Sequence, residues 1–295
     1  MLSPVIGKYQ FKTPLFLASG TWGLGDTLTQ YLSPEELRSA IGALVTKGLS
    51  LKPMLGNPPP RLYETPCGLI NSIGLENPGL EAFIRDYYPP LVRLGIPLIF
   101  NLHGTALEEF VVMAERLSGL KVMGIELNIS CPNVSKGGIL FSQAPKLVFE
   151  LVREVRKVFQ GLLLVKLSPV GPIFDVASAC EEAGADALTV ANTYPALGII
   201  SFEPLKIIKG GLSGPAIKPL TLRLVYELSQ KVKVPLIASG GILTGRDAFE
   251  YLLVGAKALQ IGTANLIDPS FPLKIAQELK EILESHGGLL NKGLT

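Results

Sequence analysis

The amino-acid sequence predicts an α/β protein built as an eight-stranded (β/α)8 barrel, on three observations. Short apolar, β-branched runs alternate with longer amphipathic segments from one end of the chain to the other. Counting that alternation gives about eight βα units, the number that closes a TIM barrel. Most strand candidates are apolar throughout, as parallel strands covered on both faces must be. A doubly wound parallel sheet is the alternative that the same pattern allows. The length of 295 residues suits one barrel. No low-complexity linker or shift in composition divides it, so residues 1–295 are read as a single domain.

The elements follow in order. Residues 2–12 fit a short hairpin ahead of the barrel. Apolar strand runs occupy 14–19, 43–47, 97–102, 124–129, 162–167, 187–191, 235–239 and 258–261. Helix-like segments lie between them at 34–39, 80–94, 107–117, 145–159, 175–183, 219–231, 246–253 and 272–284. The first opens on Ser33-Pro34-Glu35-Glu36, which offers an N-cap hydroxyl, a proline at the first helical position and acids in the first turn. Two connections exceed what a barrel needs: 48–79, dense in proline and glycine, and 192–219. Both follow strand C-termini, the face where barrels hold ligands in long loops.

Composition narrows the function. Lys plus Arg is 27 and Asp plus Glu is 25, a net charge of +2 with no basic run, which argues against nucleic acid or anionic lipid as partner. Charged residues are 18% and mean hydropathy is +0.38, but no apolar stretch reaches the roughly 18 residues that cross a bilayer. Such a surface suits contact with other subunits. With no secretory signal pattern at the start, the expected location is cytoplasmic. Cys67, Cys131 and Cys180 are too few and too scattered for a disulfide framework. His103 and His286 are the only imidazoles, which excludes a histidine-rich metal centre.

The polar residues gather at strand ends: Lys47, Asn101, Asn128 with Ser130 and Cys131, Lys166, and Asn192 with Thr193. In a barrel these converge on one pocket. An ammonium beside an apolar strand is costly unless a partner neutralises it, so two such lysines point to an anionic ligand. The seventh and eighth strands end in Ser239-Gly240-Gly241 and Gly262-Thr263, the place where barrels cradle phosphate on backbone N–H groups. Cys131 sits at a strand exit among amides, where a thiol with a free pKa near ~8.5 serves as a general base or as a small core residue. Cys67 and Cys180 read as structural. These features support a barrel for a phosphorylated, planar or anionic ligand and leave the reaction unnamed.

The motifs carry a resemblance over essentially the whole chain. Gly56-Asn57-Pro58 with Pro60-Arg61, Asn71-Ser72-Ile73-Gly74-Leu75-Glu76-Asn77-Pro78-Gly79 and Asn128-Ile129-Ser130-Cys131-Pro132-Asn133 resemble the substrate and catalytic loops of dihydroorotate dehydrogenases. Val165-Lys166-Leu167-Ser168-Pro169, Asn192-Thr193, Gly210-Gly211-Leu212-Ser213-Gly214-Pro215-Ala216 and Ser239-Gly240-Gly241 continue the match in order. Cys131 is similar to the base of soluble class 1 enzymes, whereas membrane-bound class 2 enzymes use serine. The Gly-Leu-Ser-Gly-Pro-Ala loop and the stretch 133–138 look most like the NAD-linked class 1B catalytic subunit. Val170 and the composition of 194–209 depart from many relatives.

The resemblance implies FMN-dependent oxidation of (S)-dihydroorotate to orotate in de novo pyrimidine (UMP) biosynthesis, with Cys131 as base at C5 and hydride passing from C6 to flavin N5. It implies Cys131, Lys47 and Lys166 as catalytic residues. The implied FMN site is Ser19, Lys47, Gly48, Asn101, Asn128, Lys166, Ala191, Gly214, Gly240, Gly241, Gly262 and Thr263. The implied substrate site is Lys47, Asn71, Ser72, Ile73, Gly74, Leu75, Asn128, Asn133, Asn192 and Thr193. It further implies a homodimer, and a heterotetramer with an electron-transfer subunit carrying FAD and a [2Fe–2S] cluster. A fumarate-linked class 1A enzyme and a flavin-free lyase or isomerase acting on a phosphorylated substrate are the alternatives.

Overall fold

The computed structural model describes residues 2–130 and 138–291. The chain opens on the expected hairpin, β1 (Val5–Ile6) against β2 (Tyr9–Gln10). Then β3 (Leu15–Leu17) and β4 (Ala43–Val45) begin the barrel, and β5 (Leu62–Thr65) with β6 (Gly68–Asn71) forms a hairpin outside it. The barrel resumes with β7 (Leu98–Leu102), β8 (Gly124–Asn128), β9 (Leu162–Lys166) and β10 (Ala187–Val190). A long hairpin of β11 (Tyr194–Phe202) and β12 (Leu205–Ser213) intervenes before β13 (Leu236–Ala238) and β14 (Ala256–Ile261) close the ring. The eight barrel strands are all parallel, in the closed order β10-β13-β14-β3-β4-β7-β8-β9. Closure excludes the doubly wound sheet.

The apolar strand runs are explained by two cores. Alternate residues such as Leu15, Leu17, Leu127 and Val165 face outward and pack on the helical layer. Phe16, Ala43, Val45, Ile99, Leu162 and Leu164 face inward, where Ile6 and Phe11 of the N-terminal segment join them, with the Phe11 and Phe16 rings 4.8 Å apart. That plug fills the N-terminal end of the barrel. Large ligands are left the other end.

The expected helices all form, with boundary shifts. Ser33 and Glu36 make the reciprocal capping box that the sequence announced. The segment 80–94 is two helices, Leu80–Asp86 and Tyr88–Arg93, the second with proline in its first turn. Leu28–Tyr31, Gly138–Gln143 and Ala264–Ile267 are short helices that the sequence did not announce.

The two long connections differ most from expectation, because both contain strands. β11 and β12 pair antiparallel, β12 pairs with β6, and β6 pairs with β5, giving a four-stranded sheet in the order β11-β12-β6-β5. This sheet roofs the C-terminal end of the barrel. No helix of the described residues is long and apolar enough to cross a membrane.

Candidate active site

The strand ends and the roof enclose one cavity of about 280 Å³. Its floor takes Asn128 and Lys166, the last residues of β8 and β9, which lie opposite each other in the parallel register. Lys47 and Gly48 enter just beyond β4, and Ser19 just beyond β3. Ala191, Asn192 and Thr193 follow β10; Gly240 and Gly241 follow β13; Gly262 and Thr263 follow β14. From the roof and its loop come Asn71, Ile73, Gly74, Leu75 and Gly214. Residues far apart in sequence therefore meet because parallel strands end on one face.

The charges at this cavity are cationic. Lys166 is 6% exposed, and its ammonium has no hydrogen-bond or ion-pair partner among the described residues. Burial pushes the Lys47 amine below its ordinary range; Glu76 opposes the shift and Arg61 adds to it. A buried ammonium at Lys166 and a part-buried one at Lys47, neither in an ion pair among the described residues, are expensive to keep at one cavity without an anion or an electron-rich group there. The other nearby lysine is spent elsewhere: Lys218 pairs with Asp247 and, at 2.7 Å, with Glu250.

The amides are oriented by their neighbours. Asn192 donates from Nδ2 to Ser130 Oγ at 2.8 Å, and Ser130 donates from Oγ to Asn128 Oδ1 at 2.9 Å. Asn128 Oδ1 is thus occupied, so its Nδ2 is the group left for a ligand. Asn192 Oδ1 accepts the Thr193 N–H at 2.8 Å, which fixes the turn after β10. Asn71 donates from Nδ2 to the Gly211 carbonyl at 3.2 Å and so joins the substrate loop to the roof.

The glycine turns are held open by packing. Gly241 has φ +66°, and a Cβ there would fall 2.7 Å from Lys218 Cβ and 2.9 Å from the Gly214 carbonyl oxygen. Tyr251, fully buried, donates its hydroxyl to the Gly240 carbonyl at 2.6 Å. Thr263 Oγ1 donates to Ser213 Oγ at 2.8 Å, tying the turn after β14 to β12. Side-chain-free backbone at three turns, with two free ammoniums and several carboxamides, is a donor set that fits a phosphorylated, planar, electron-accepting group.

A family model described as dihydroorotate dehydrogenase matches residues 1–283. The chain belongs to the dihydroorotate dehydrogenase family. It is 47% identical over 290 residues to a relative from Geobacter sp. (strain M21), covering 97% of this chain and 94% of that one. It is 46% identical over 291 residues to one from Geotalea uraniireducens (strain Rf4), with the same coverage. A third, from Thermoanaerobacter pseudethanolicus, is 45% identical over 282 residues, 94% of this chain and 92% of its own. Each is named dihydroorotate dehydrogenase B (NAD(+)), catalytic subunit.

Of the expected site residues of this dehydrogenase fold, Ser72 and Asn101 do not line the cavity. Ser72 Oγ accepts from Asn57 Nδ2 at 3.0 Å, and its N–H binds the Arg61 carbonyl at 2.7 Å, so it shapes the loop behind the wall. Asn101 is fully buried beneath Gly48. Cys131 and Asn133 lie outside the described residues. The sequence reading missed Gly20 and Thr21, which follow Ser19 at the same strand end and obey the same rule. It also missed Leu62, Leu69 and Ser213, which reach the cavity only because the roof forms. Cys180 is fully buried, where burial pushes its thiol far up and keeps it inert, while Cys67 is exposed at the tip between β5 and β6.

His103, at the exit of β7, is 1% exposed, and neither ring nitrogen has a hydrogen-bond partner among the described residues. Burial pushes it down to about 4, opposed by the nearby Asn128 backbone and by Glu109. The unfolded imidazole takes its proton near pH 6.5 and the folded one only near 4, so between these values the unfolded state binds more protons. Stability is therefore complete above pH 6.5 and falls as the pH drops toward 4, by up to about 3 kcal/mol from this group. Unfolding measured across that window is expected to show a steeper acid loss in the wild type than in His103→Leu. Equal slopes would remove His103 from the acid response.

Proposed function

We propose that this chain is the catalytic subunit of an NAD-linked dihydroorotate dehydrogenase, oxidising (S)-dihydroorotate to orotate in de novo pyrimidine synthesis. The observation that carries the reading is the two lysines, Lys47 and Lys166, that line one cavity with carboxamides and glycine turns and form no ion pair among the described residues. Residues 1–295 then serve as one FMN-binding domain. FMN, when bound, supplies the two-electron acceptor that the reaction requires.

The chain's own residues do the rest. Gly214, Gly240, Gly241, Gly262 and Thr263 would hold the phosphate, with Ser19, Gly48 and Ala191 against the remainder of the cofactor. Asn128, through its free Nδ2, and Asn71 and Asn192 suit the alternating N–H and C=O edge of the pyrimidine. Gly74 and Leu75 would offer backbone to the substrate carboxylate, beside Ile73 and Thr193, and the family resemblance adds Asn133. Cys131 as thiolate would take the C5 proton, leaving the C5–H electron pair to form the C5–C6 double bond as hydride leaves C6 for the bound electron acceptor. Lys166, at the cavity floor, would favour negative charge on an electron-accepting ring held there.

Partner chemistry follows from the same reading. Electrons leave through an FAD/[2Fe–2S] subunit to NAD, in a cytoplasmic heterotetramer built on a homodimer of this chain. Support comes from the words "catalytic subunit" in the relatives' names, and from the roof, which exposes Leu197, Phe202 and Leu205. The test is optical. Purified protein should carry flavin absorbance that bleaches anaerobically on adding dihydroorotate, and recovery of colour should be compared with NAD and fumarate, with and without co-purifying chains. Colourless protein, or colour indifferent to dihydroorotate, would overturn the reading; recovery by fumarate alone would overturn the NAD link.

A further inference from the structure

A carboxyl group lies fully buried inside the barrel, directly below the cavity. Glu126 is on β8, two residues before Asn128, and faces inward between Ile125 and Leu127, which pack outward. No ion pair among the described residues includes it. It is held by three other strands instead. Its Oε1 accepts from Asn101 Nδ2 at 2.7 Å, from β7; its Oε2 accepts from Gln260 Nε2 at 2.6 Å, from β14, and from the Thr189 hydroxyl at 2.7 Å, from β10.

This arrangement settles how Asn101 stands. The bond from Asn101 Nδ2 to Glu126 Oε1 fixes which end of the amide faces the carboxyl group. Asn101 Oδ1 is therefore turned the other way. It is buried and has no partner among the described residues. It lies on the Gly48 side, where a Cβ would come within 3.0 Å of it, and Gly48 is cavity wall. A buried acceptor without a donor is costly, and this one stands against the side of Gly48 that carries no Cβ, at the edge of the ligand space.

We propose that Glu126 is a positioning residue: it locks the Asn101 carboxamide with its oxygen toward the cavity, as an acceptor for a ring N–H of the bound flavin. The inference rests on the flavin reading above. It deepens that reading, because oxidised flavin offers one ring N–H among several carbonyl and imine acceptors. A fixed acceptor at the wall selects how the ring is seated, whereas a freely turning amide would tolerate either edge.

The experiment uses full-length apoprotein titrated with FMN, following quenching of flavin fluorescence. N101D sets two carboxyl groups against each other and is expected to weaken FMN by about tenfold or more. The swap E126Q/N101D restores every bond in reversed polarity. The introduced carboxamide donates to the introduced carboxylate and still accepts from Gln260 and Thr189, while one carboxylate oxygen remains toward the cavity. Its FMN dissociation constant is expected within about threefold of wild type. E126Q/N101L keeps a packed interior without the acceptor and is expected to stay about tenfold weaker.

Thermal unfolding of each apoprotein separates affinity from folding. A swap that restores unfolding temperature but not FMN affinity, or an E126Q/N101L protein that binds like wild type, would overturn the proposal. If E126Q/N101L does not fold, the comparison of N101D with the swap, both nearly isosteric with wild type, decides alone. Wild-type apoprotein that ignores FMN would instead defeat the flavin reading itself.

Discussion

Cys131→Ser is expected to retain FMN and yet to slow the anaerobic reduction of that flavin by dihydroorotate by about 10²–10⁴-fold at neutral pH. The substitution keeps a small side chain and removes only the acidity of the thiol. A hydroxyl in its place remains protonated through the physiological range, so the C5 proton has no acceptor of matched strength and C–H cleavage becomes the slow step. Stopped-flow reduction at saturating dihydroorotate measures the effect directly. A rate close to wild type would take Cys131 out of the reaction and leave proton removal to another group.

Lys166→Met should act in the opposite way on stability and on catalysis. The ammonium is nearly fully buried and has no counter-ion among the described residues, so the apoprotein pays for its desolvation. Methionine fills a similar volume without charge, and the apoprotein is expected to melt at a higher temperature. The reaction should suffer. Loss of one preorganised positive group at the cavity floor is expected to lower the flavin reduction rate by about 10²–10³-fold. The flavin midpoint potential should move negative, by about 30 mV for each tenfold change in the two-electron equilibrium. Unchanged potential with unchanged rate would mean that Lys166 faces something other than the electron acceptor.

How far the sequence exposed this architecture depends on the range of the interactions involved. Strands such as Leu162–Lys166 were visible because both faces are buried locally, which forces an unbroken apolar run ending on the functional residue. The capping box at Ser33 was visible because it is settled within one helical turn. The roof was not, because its strands are defined by partners about 140 residues away: Gly211 pairs with Asn71, and Leu212 with Ile70. Its glycines read as loop residues, yet they are there for close approach. An added Cβ on Gly210 would collide with the Asn71 carbonyl oxygen, and one on Gly211 with the Thr193 hydroxyl. Leu62 and Leu69 were invisible as cavity residues for the same reason. Glu126 did leave a signal, a lone acid inside an apolar strand, but its three donors come from strands that only the closed barrel brings together.

The roof also has two open borders, and each is blunted. Among the described residues β11 bonds only to β12, and β5 only to β6, so each leaves one outer row of backbone outside the ladder. Along β11, Pro195 lacks an N–H and the register slips between Ile199 and Ser201; along β5, Glu64 projects outward. A fifth strand arriving from another molecule would meet a missing donor, a kink or a charge before it could zip up. The borders of the roof are thus poor templates for an added strand, while the flank of the hairpin that carries Leu197, Phe202 and Leu205 stays uncovered.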